Sequence, residues 1–572
     1  MAQRLKGIPV MPGLGLGYAV ILKSTLPPEI DERILPGDVG EELKKFQDAV
    51  NQACRSLEQI RDEAAKKAGD QEAAIFEAQL LMLQDPSLLD LVEQKIRRDL
   101  FGAISASRQA CEENAAMLSS LEDPYFAARA RDVLDVRDHL LRCLMGTPLQ
   151  KPGDYSDRSV LVADDLAPSD VISLDPEKVR AVVLAQGGTT SHAAILLKAI
   201  GIPTLMGIGV GLERIGSGDL VFVDANIGEV TINPDDQTEM ELKARFRAFK
   251  EEKQVLAALK DLPGETLDGI KVELLGNIGS AEEAKFALDA GAEGIGLFRT
   301  EFLFINRQAA PSEDAQLAVY KQALSAMAPH PVTIRTLDVG GDKPIPYLTL
   351  VEEINPFLGV RAIRLCLQEQ ALFRTQLRAL LRASVYGNLQ IMFPMIAVIE
   401  ELRQAKEILH SVKEELRAEG FKVAEAIPVG VMIETPAAAV SAHFLAQECD
   451  FFSIGTNDLV QYTNAADRGS QALTYLQDPL SPSVLRLIGQ TITQGHKHGI
   501  KVGMCGEMAG IPEAIPLLVG MGMDEFSMAP ALLPKAKSVV RNLDAKKAAL
   551  LWQEVKQLKT AQEIRDYLQA SL

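Results

Sequence analysis

From Thr266 to the end of the chain, short apolar runs alternate with helix-length stretches, and no other feature restricts the possible folds as tightly. The runs are Val272–Leu275, Gly294–Phe298, Val332–Leu337, Gln390–Phe393, Val429–Ile433, Phe451–Ile454, Val502–Cys505 and Glu525–Met528. Runs of this kind read as strands. Eight of them with helical segments between, over roughly 300 residues, predict a (β/α)8 barrel at 266–572.

Polar residues fall into a pattern within that scheme. Arg299 follows the second strand, Arg335 and Asp338 lie near the end of the third, and Glu434 follows the fifth. Asn457 and Asp458 follow the sixth strand, and Cys505 ends the seventh. Barrel chemistry sits at the carboxyl ends of strands, so these side chains are expected to converge on one mouth. A lone arginine or glutamate is more often a surface ion pair or a loop cap; the shared placement argues against coincidence. Their chemical types also fit together. Glu434 and Asp458 are hard oxygen ligands suited to Mg²⁺. Arg299, Arg335, Arg361 and Arg468 can hold a phosphate and a carboxylate through paired N–H donors. The implied ligand is a small, strongly anionic phosphorylated acid.

The first half of the chain reads differently. Tyr18–Leu22, Val160–Ala163, Val182–Leu184 and Leu220–Val223 have strand character. Residues 33–146 are helical in pattern: Leu43, Phe46, Val50, Cys54, Leu57 and Ile60 form one stripe, and Phe76, Leu80 and Leu83 begin another. The expected organisation is an α/β domain made of 1–32 and 147–234, interrupted by a helical insertion at 33–146. Gly7–Pro9 should open a turn-rich stretch. Gly13-Leu14-Gly15-Leu16-Gly17 lacks the spacing and the following helix of a dinucleotide loop and reads as β structure with turns. A charged helix carrying Leu242, Phe246, Phe249 and Leu256, closed by Pro263-Gly264, is expected to connect the halves over 235–265.

Inside the α/β domain, Gln186–Ile195 joins a glycine turn, three hydroxyls and His192 to an apolar, helix-like run. Gly187-Gly188 permits a sharp turn, and Thr190 or Ser191 can cap a helix through Ile195, Leu196 and Ile200. His192 then lies on the first helical turn, where free N–H groups and the dipole favour an anion such as phosphate. A single histidine beside a cap more often packs than reacts, so its role rests on the rest of the chain.

Composition narrows the partners. A net charge of −19 with 5% aromatic residues argues against general nucleic-acid binding and favours solubility or a basic partner. The six cysteines are widely spaced with no CxxC pair, as expected of reduced cytoplasmic thiols. Pro9, Pro12, Gly13, Gly15 and Gly17 break any apolar leader helix, and no apolar stretch approaches the roughly 18 residues of a membrane span.

Longer stretches carry a resemblance. The His192 segment, with Gly201-Ile202-Pro203 and Gly207, resembles the phosphohistidine segment of phosphoenolpyruvate-utilising enzymes. Gly294–Leu303, Asn355–Arg361, Gly455–Leu459 and Gly503–Glu507 resemble the signatures of enzyme I of the bacterial phosphotransferase system, over nearly the whole chain. The resemblance implies that His192 takes the phosphoryl group from phosphoenolpyruvate and passes it to a histidine of the small carrier HPr. It implies that Glu434 and Asp458 hold Mg²⁺, that Arg299, Arg335, Asn457, Asp458 and Arg468 bind phosphoenolpyruvate with Arg361 assisting, and that Cys505 protonates the enolate to give pyruvate. A cytoplasmic homodimer formed through the barrel is also implied, with the histidine domain swinging between the barrel and HPr docked on the helical insertion. Three positions depart from the family pattern: Thr189 and Lys198 stand where many members carry Arg, and Val171 where Thr is common, which bears on the hydrogen bonding that orients His192. Pyruvate phosphate dikinase and phosphoenolpyruvate synthase share these motifs but need a further nucleotide-binding domain. A paralogue feeding a regulatory phosphorelay, or a non-enzymatic sensor of phosphoenolpyruvate, are the other readings.

Overall fold

The computed structural model describes residues 3–22, 32–67, 70–120, 124–146, 158–188, 191–305, 307, 309–340, 347–348 and 353–571. It divides into two units, Met1–Glu252 and Lys253–Leu572. In the first, a mixed sheet is built from β1 (Gln3–Lys6), β2 (Ile8–Met11), β3 (Leu14–Leu22), β4 (Ser159–Ala163), β5 (Val179–Leu184), β6 (Thr204–Met206), β7 (Leu220–Asp224) and β8 (Glu229–Ile232). Their spatial order is β1-β8-β7-β3-β4-β5-β6-β2. The central β3, β4, β5 and β6 run parallel, and the outer pairings are antiparallel.

The stretch around Gly7–Pro9, expected as turns, is instead the two edges of this sheet: β1 pairs with β8, and β2 with β6. Pro9 is tolerated because an edge strand can spare an N–H. Gly15 and Gly17 lie inside β3, where a Cβ on Gly17 would sit 2.1 Å from the Arg158 carbonyl oxygen. Glycine there serves close strand approach, and no cofactor loop is needed to explain it.

The helical insertion comprises α1 (Val39–Lys67), α2 (Asp70–Leu83), α3 (Pro86–Arg97), α4 (Ala103–Ser119) and α5 (Pro124–Leu144). The prolines that interrupt the apolar pattern start helices: Pro86 opens α3 behind Asp85, whose carboxylate accepts the Ser87 N–H at 2.8 Å, and Pro124 opens α5. After β4 come α6 (Pro168–Ile172) and, after β5, α7 (His192–Ile200). One apolar core joins the bundle to this face of the sheet, with Phe46, Phe76 and Val136 in the same cluster as Val171, Val182, Leu196 and Leu197. That shared core is what fixes α5 beside α7. The connector α8 (Asp236–Ala258) follows, and the division between units falls within it.

The second unit is a closed barrel of eight parallel strands: β9 (Glu273–Ile278), β10 (Ile295–Arg299), β11 (Pro331–Arg335), β12 (Asn388–Phe393), β13 (Val429–Ile433), β14 (Phe451–Ile454), β15 (Lys501–Met504) and β16 (Glu525–Met528). Pairing of β16 with β9 closes it. Leu297, Met392, Met432, Phe451 and Cys505 form a small apolar cluster of their own. Among the described residues, no helix is long and apolar enough to cross a membrane.

Candidate active site

The carboxyl ends of the barrel strands carry the charged residues. Arg299 ends β10 and Arg335 ends β11; Glu434 and Cys505 each stand one residue beyond β13 and β15. Asn457 and Asp458 occupy the first turn of the helix Thr456–Asn464 that follows β14. Eight of the residues singled out from the sequence, namely Arg299, Arg335, Asp338, Glu434, Asn457, Asp458, Arg468 and Cys505, line one cavity of about 300 Å³. Glu301 and Glu507 line it too and were not singled out; both lie inside the quoted motifs, two positions beyond Arg299 and Cys505. Arg361 is not part of the lining. It is 1% exposed, and reaches the site through Asp338 and Asp458.

Opposite charges interlock around this cavity. The buried Arg335 guanidinium donates to Glu301 Oε1 at 2.8 Å and lies 3.1 Å from Asp338 Oδ2. Arg361 donates to Asp338 Oδ1 at 2.9 Å and to the Tyr462 hydroxyl at 3.2 Å, with Asp458 Oδ1 at 3.4 Å. Burial works against charge on both arginines, but the facing carboxylates more than offset it and hold them protonated. Arg468 lies 3.7 Å from Asp458 and 5.5 Å from the centre of the Phe357 ring. Asn457 is held by a two-way contact: its amide donates to Glu507 Oε1 at 3.0 Å, and its oxygen accepts the Glu507 N–H at 3.0 Å.

Two further groups at the mouth have displaced proton affinities. Glu434 accepts the Met395 N–H at 2.6 Å, yet its pKa is pushed up to about 8, first by burial and then by Asp458 and Asp338. Carboxylates crowded in this way suit a divalent cation, which would relieve their repulsion through hard oxygen ligands. The Cys505 thiol is 3% exposed and lies 3.9 Å from the Ile454 carbonyl oxygen; burial pushes its pKa up, so it keeps its proton at neutral pH.

In the first unit, α7 begins at His192. Ser191 caps it, accepting the Ala194 N–H at 3.3 Å and donating to the Gly188 carbonyl at 3.1 Å, while Gly187 supplies a φ of 94° in the preceding turn. Thr189 and Thr190 lie outside the described residues. His192 Nδ1 is 3.2 Å from Asp132 Oδ1, the ring being 32% exposed and the carboxylate 7%. Asp132 Oδ2 is 3.3 Å from Arg129. Asp135, three residues on along α5, faces the same group: ligand atoms of Asp132, Asp135 and His192 all lie within 4.8 Å of one another, close enough to hold a cation. Burial raises the Asp135 pKa to about 7, against Arg131 and His192, with Asp132 adding to the rise. The imidazole is raised above its ordinary value by the Asp132 contact, against burial. Neither aspartate was anticipated. They belong to a helix that reads from sequence as bundle, and the spacing Arg129-x-x-Asp132-x-x-Asp135 on one helix face was the available signal. Val171, on α6, is fully buried, and Lys198 lies in the last turn of α7.

Domain-family profiles match in chain order: the N-terminal domain of PEP-utilising enzymes over residues 6–129, their mobile domain over 155–228 and their PEP-binding domain over 253–545. Together with the barrel they set the class, a phosphoenolpyruvate-utilising enzyme. Phosphoenolpyruvate-protein phosphotransferase of Staphylococcus carnosus is 42% identical over 570 residues, covering 100% of this chain and 99% of its own. Its counterpart in Bacillus sp. (strain S) is 44% identical over 566 residues, 99% of this chain and 98% of the relative. That of Haemophilus influenzae is 42% identical over 568 residues, 99% of each. The chain belongs to the phosphoenolpyruvate-protein phosphotransferase family.

Proposed function

We propose that the chain moves the phosphoryl group of phosphoenolpyruvate onto His192, releases pyruvate, and hands the group to the histidine of HPr, the first step of phosphotransferase-system sugar uptake. The observation that carries this reading is the barrel cavity, where arginines, carboxylates, an amide and a protonated thiol meet at the carboxyl ends of the strands. Arg299, Arg335 and Arg468 offer paired donors to phosphate and carboxylate, Asn457 a further donor, and Arg361 supports them by holding Asp338 and Asp458 in place.

Glu434 and Asp458 would hold Mg²⁺; enzymes that use phosphoenolpyruvate generally use a metal. When bound, the ion would offset charge on the transferring group. The chain's own residues do the rest. The neutral imidazole of His192 gives its lone pair to phosphorus as the bridging P–O bond breaks, and that bond's electrons leave with the enolate. Cys505 delivers its proton to the enolate carbon, and formation of the ketone draws the transfer forward. The reading requires the imidazole to visit first the cavity and then HPr, with 1–32 and 147–234 as the moving α/β domain, 33–146 as the docking bundle and 235–265 as the hinge. It also carries a cytoplasmic location and a homodimer formed through 266–572.

The test is incubation of the full chain with phosphoenolpyruvate and Mg²⁺, followed by mass measurement and addition of HPr. One phosphoryl adduct on His192 is expected, formed without nucleotide and lost to HPr. An adduct elsewhere, or a need for nucleotide, would overturn the reading.

A further inference from the structure

We infer that the first unit carries an anion site of its own, a cationic cavity between its sheet and α8 that takes a nucleoside polyphosphate. The cavity holds about 360 Å³, within the range of small-ligand sites. None of the residues proposed to bind phosphoenolpyruvate lines it.

Its walls come from two directions. The sheet side supplies Tyr18, Arg158 and Arg180, and α8 supplies Lys243, Phe246, Arg247 and Lys250. The helix residues recur at three- and four-residue spacing, so they share one face. Arg245 lies 2.5 Å from the buried Asp224 at the end of β7, an ion pair that holds α8 against the sheet. The glycine run that is not a dinucleotide loop shapes the floor. A Cβ on Gly17 would meet the Arg158 carbonyl oxygen, and one on Gly15 would sit 2.6 Å from that of Arg180. Glycine thus lets both arginine-bearing segments close on β3, and the Tyr18 N–H donates to the Arg158 carbonyl at 2.8 Å. β4 and β5 begin here, whereas His192 follows the carboxyl end of β5, so the cavity and that histidine lie at opposite ends of the strand.

Charge and shape select the ligand. Five basic side chains line the cavity and, among the described residues, no carboxylate does, in a chain whose net charge is −19. Lys243 is paired with Glu239 one turn earlier, and the Asp219 carboxylate accepts instead from the Gly216 N–H and the Asn233 amide. Such a cluster repels itself until a polyanion enters, and arginines grip phosphate through paired donors. Tyr18 and Phe246 add aromatic faces, on which a planar base rests. A nucleic-acid strand would run past the cavity onto a chain that is acidic overall, so a single nucleotide is favoured. Bound there, it ties the first half of α8 to the sheet.

The experiment titrates the full chain in magnesium-free buffer with adenosine triphosphate, inorganic pyrophosphate, adenosine and an oligothymidylate, read by calorimetry and amide hydrogen exchange. The nucleotide is expected to bind most tightly, pyrophosphate about tenfold more weakly, and adenosine not at all. The nucleotide should slow exchange in Leu14–Tyr18 and Lys243–Lys250. The double variant Arg158→Ala, Arg247→Ala should weaken it about 100-fold and Lys250→Gln about tenfold. All three side chains are exposed, so thermal melting should stay that of the parent. Parent-like affinity in these variants, or protection confined to the barrel, would overturn the inference. Pyrophosphate binding as tightly as the nucleotide would overturn the place given to the base, and tighter binding of the oligothymidylate would overturn the choice of a small ligand.

Discussion

At the barrel mouth Asp338 alone engages two buried arginines, at 3.1 Å and 2.9 Å, whereas in the first unit a single carboxylate lies 3.2 Å from a ring that keeps 32% of its surface exposed. The contrast follows from what each site has to do. A pocket for a small polyanion works best when its charges are fixed before the ligand arrives, because nothing then has to reorganise as charge moves. A carrier that must meet two partners in turn has to stay accessible and be held only enough to aim it. On the proposed function, dense interlocking belongs to the receptor and sparse support to the carrier.

The comparison can be broken most sharply at its nucleophile. His192→Ala is expected to abolish the phosphoryl adduct completely while changing stability by about 1 kcal/mol or less, read by mass measurement and thermal melting. Arg335→Met should do the reverse damage: Glu301 and Asp338 lose a buried counter-charge, costing about 3–5 kcal/mol in denaturant unfolding, and phosphoenolpyruvate binding fails with it. If Arg335→Met melted like the parent, the barrel network would not be the rigid frame described. Cys505→Ala removes a small buried group from an apolar cluster, so the fold should persist while pyruvate formation falls about 100-fold or more. Unchanged pyruvate release would remove the thiol from the scheme.

The smallest effect concerns protons. Glu434 has its pKa raised to about 8, so below that pH the protonated carboxyl competes with a cation, and above it the carboxylate is free to bind. Mg²⁺ affinity should therefore rise with pH, about tenfold between pH 7 and pH 9, in a direct titration of the full chain. Glu434→Gln should flatten that dependence.

The barrel was legible because buried strands are written as apolar runs: Val429–Ile433, Phe451–Ile454 and Glu525–Met528 have the same limits in sequence and structure. The edges of the first sheet were not. Gln3–Lys6 contains one apolar residue and Ile8–Met11 contains a proline, and both become strands because β8 and β6 supply partners. The same division runs through the sites. Residues at strand ends declare themselves once the strands are known, so Arg299, Glu434 and Cys505 could be picked out in order. Asp132 had no such frame. Its spacing with Arg129 and Asp135 marks one helix face, but its meeting with His192 depends on a helix bundle folding back onto a sheet, which that spacing does not report. Arg361 was legible as a cation, but its near-complete burial was not, since that depends on carboxylates from two other segments.

The reciprocal contact between Asn457 and Glu507 reaches beyond the pocket it borders. It fastens the helix that follows β14 to the helical turn that follows β15, so neither can drift without dragging the other. Tinkering with one segment in isolation would leave its neighbour clasping nothing, and the two are expected to change through descent as a matched pair.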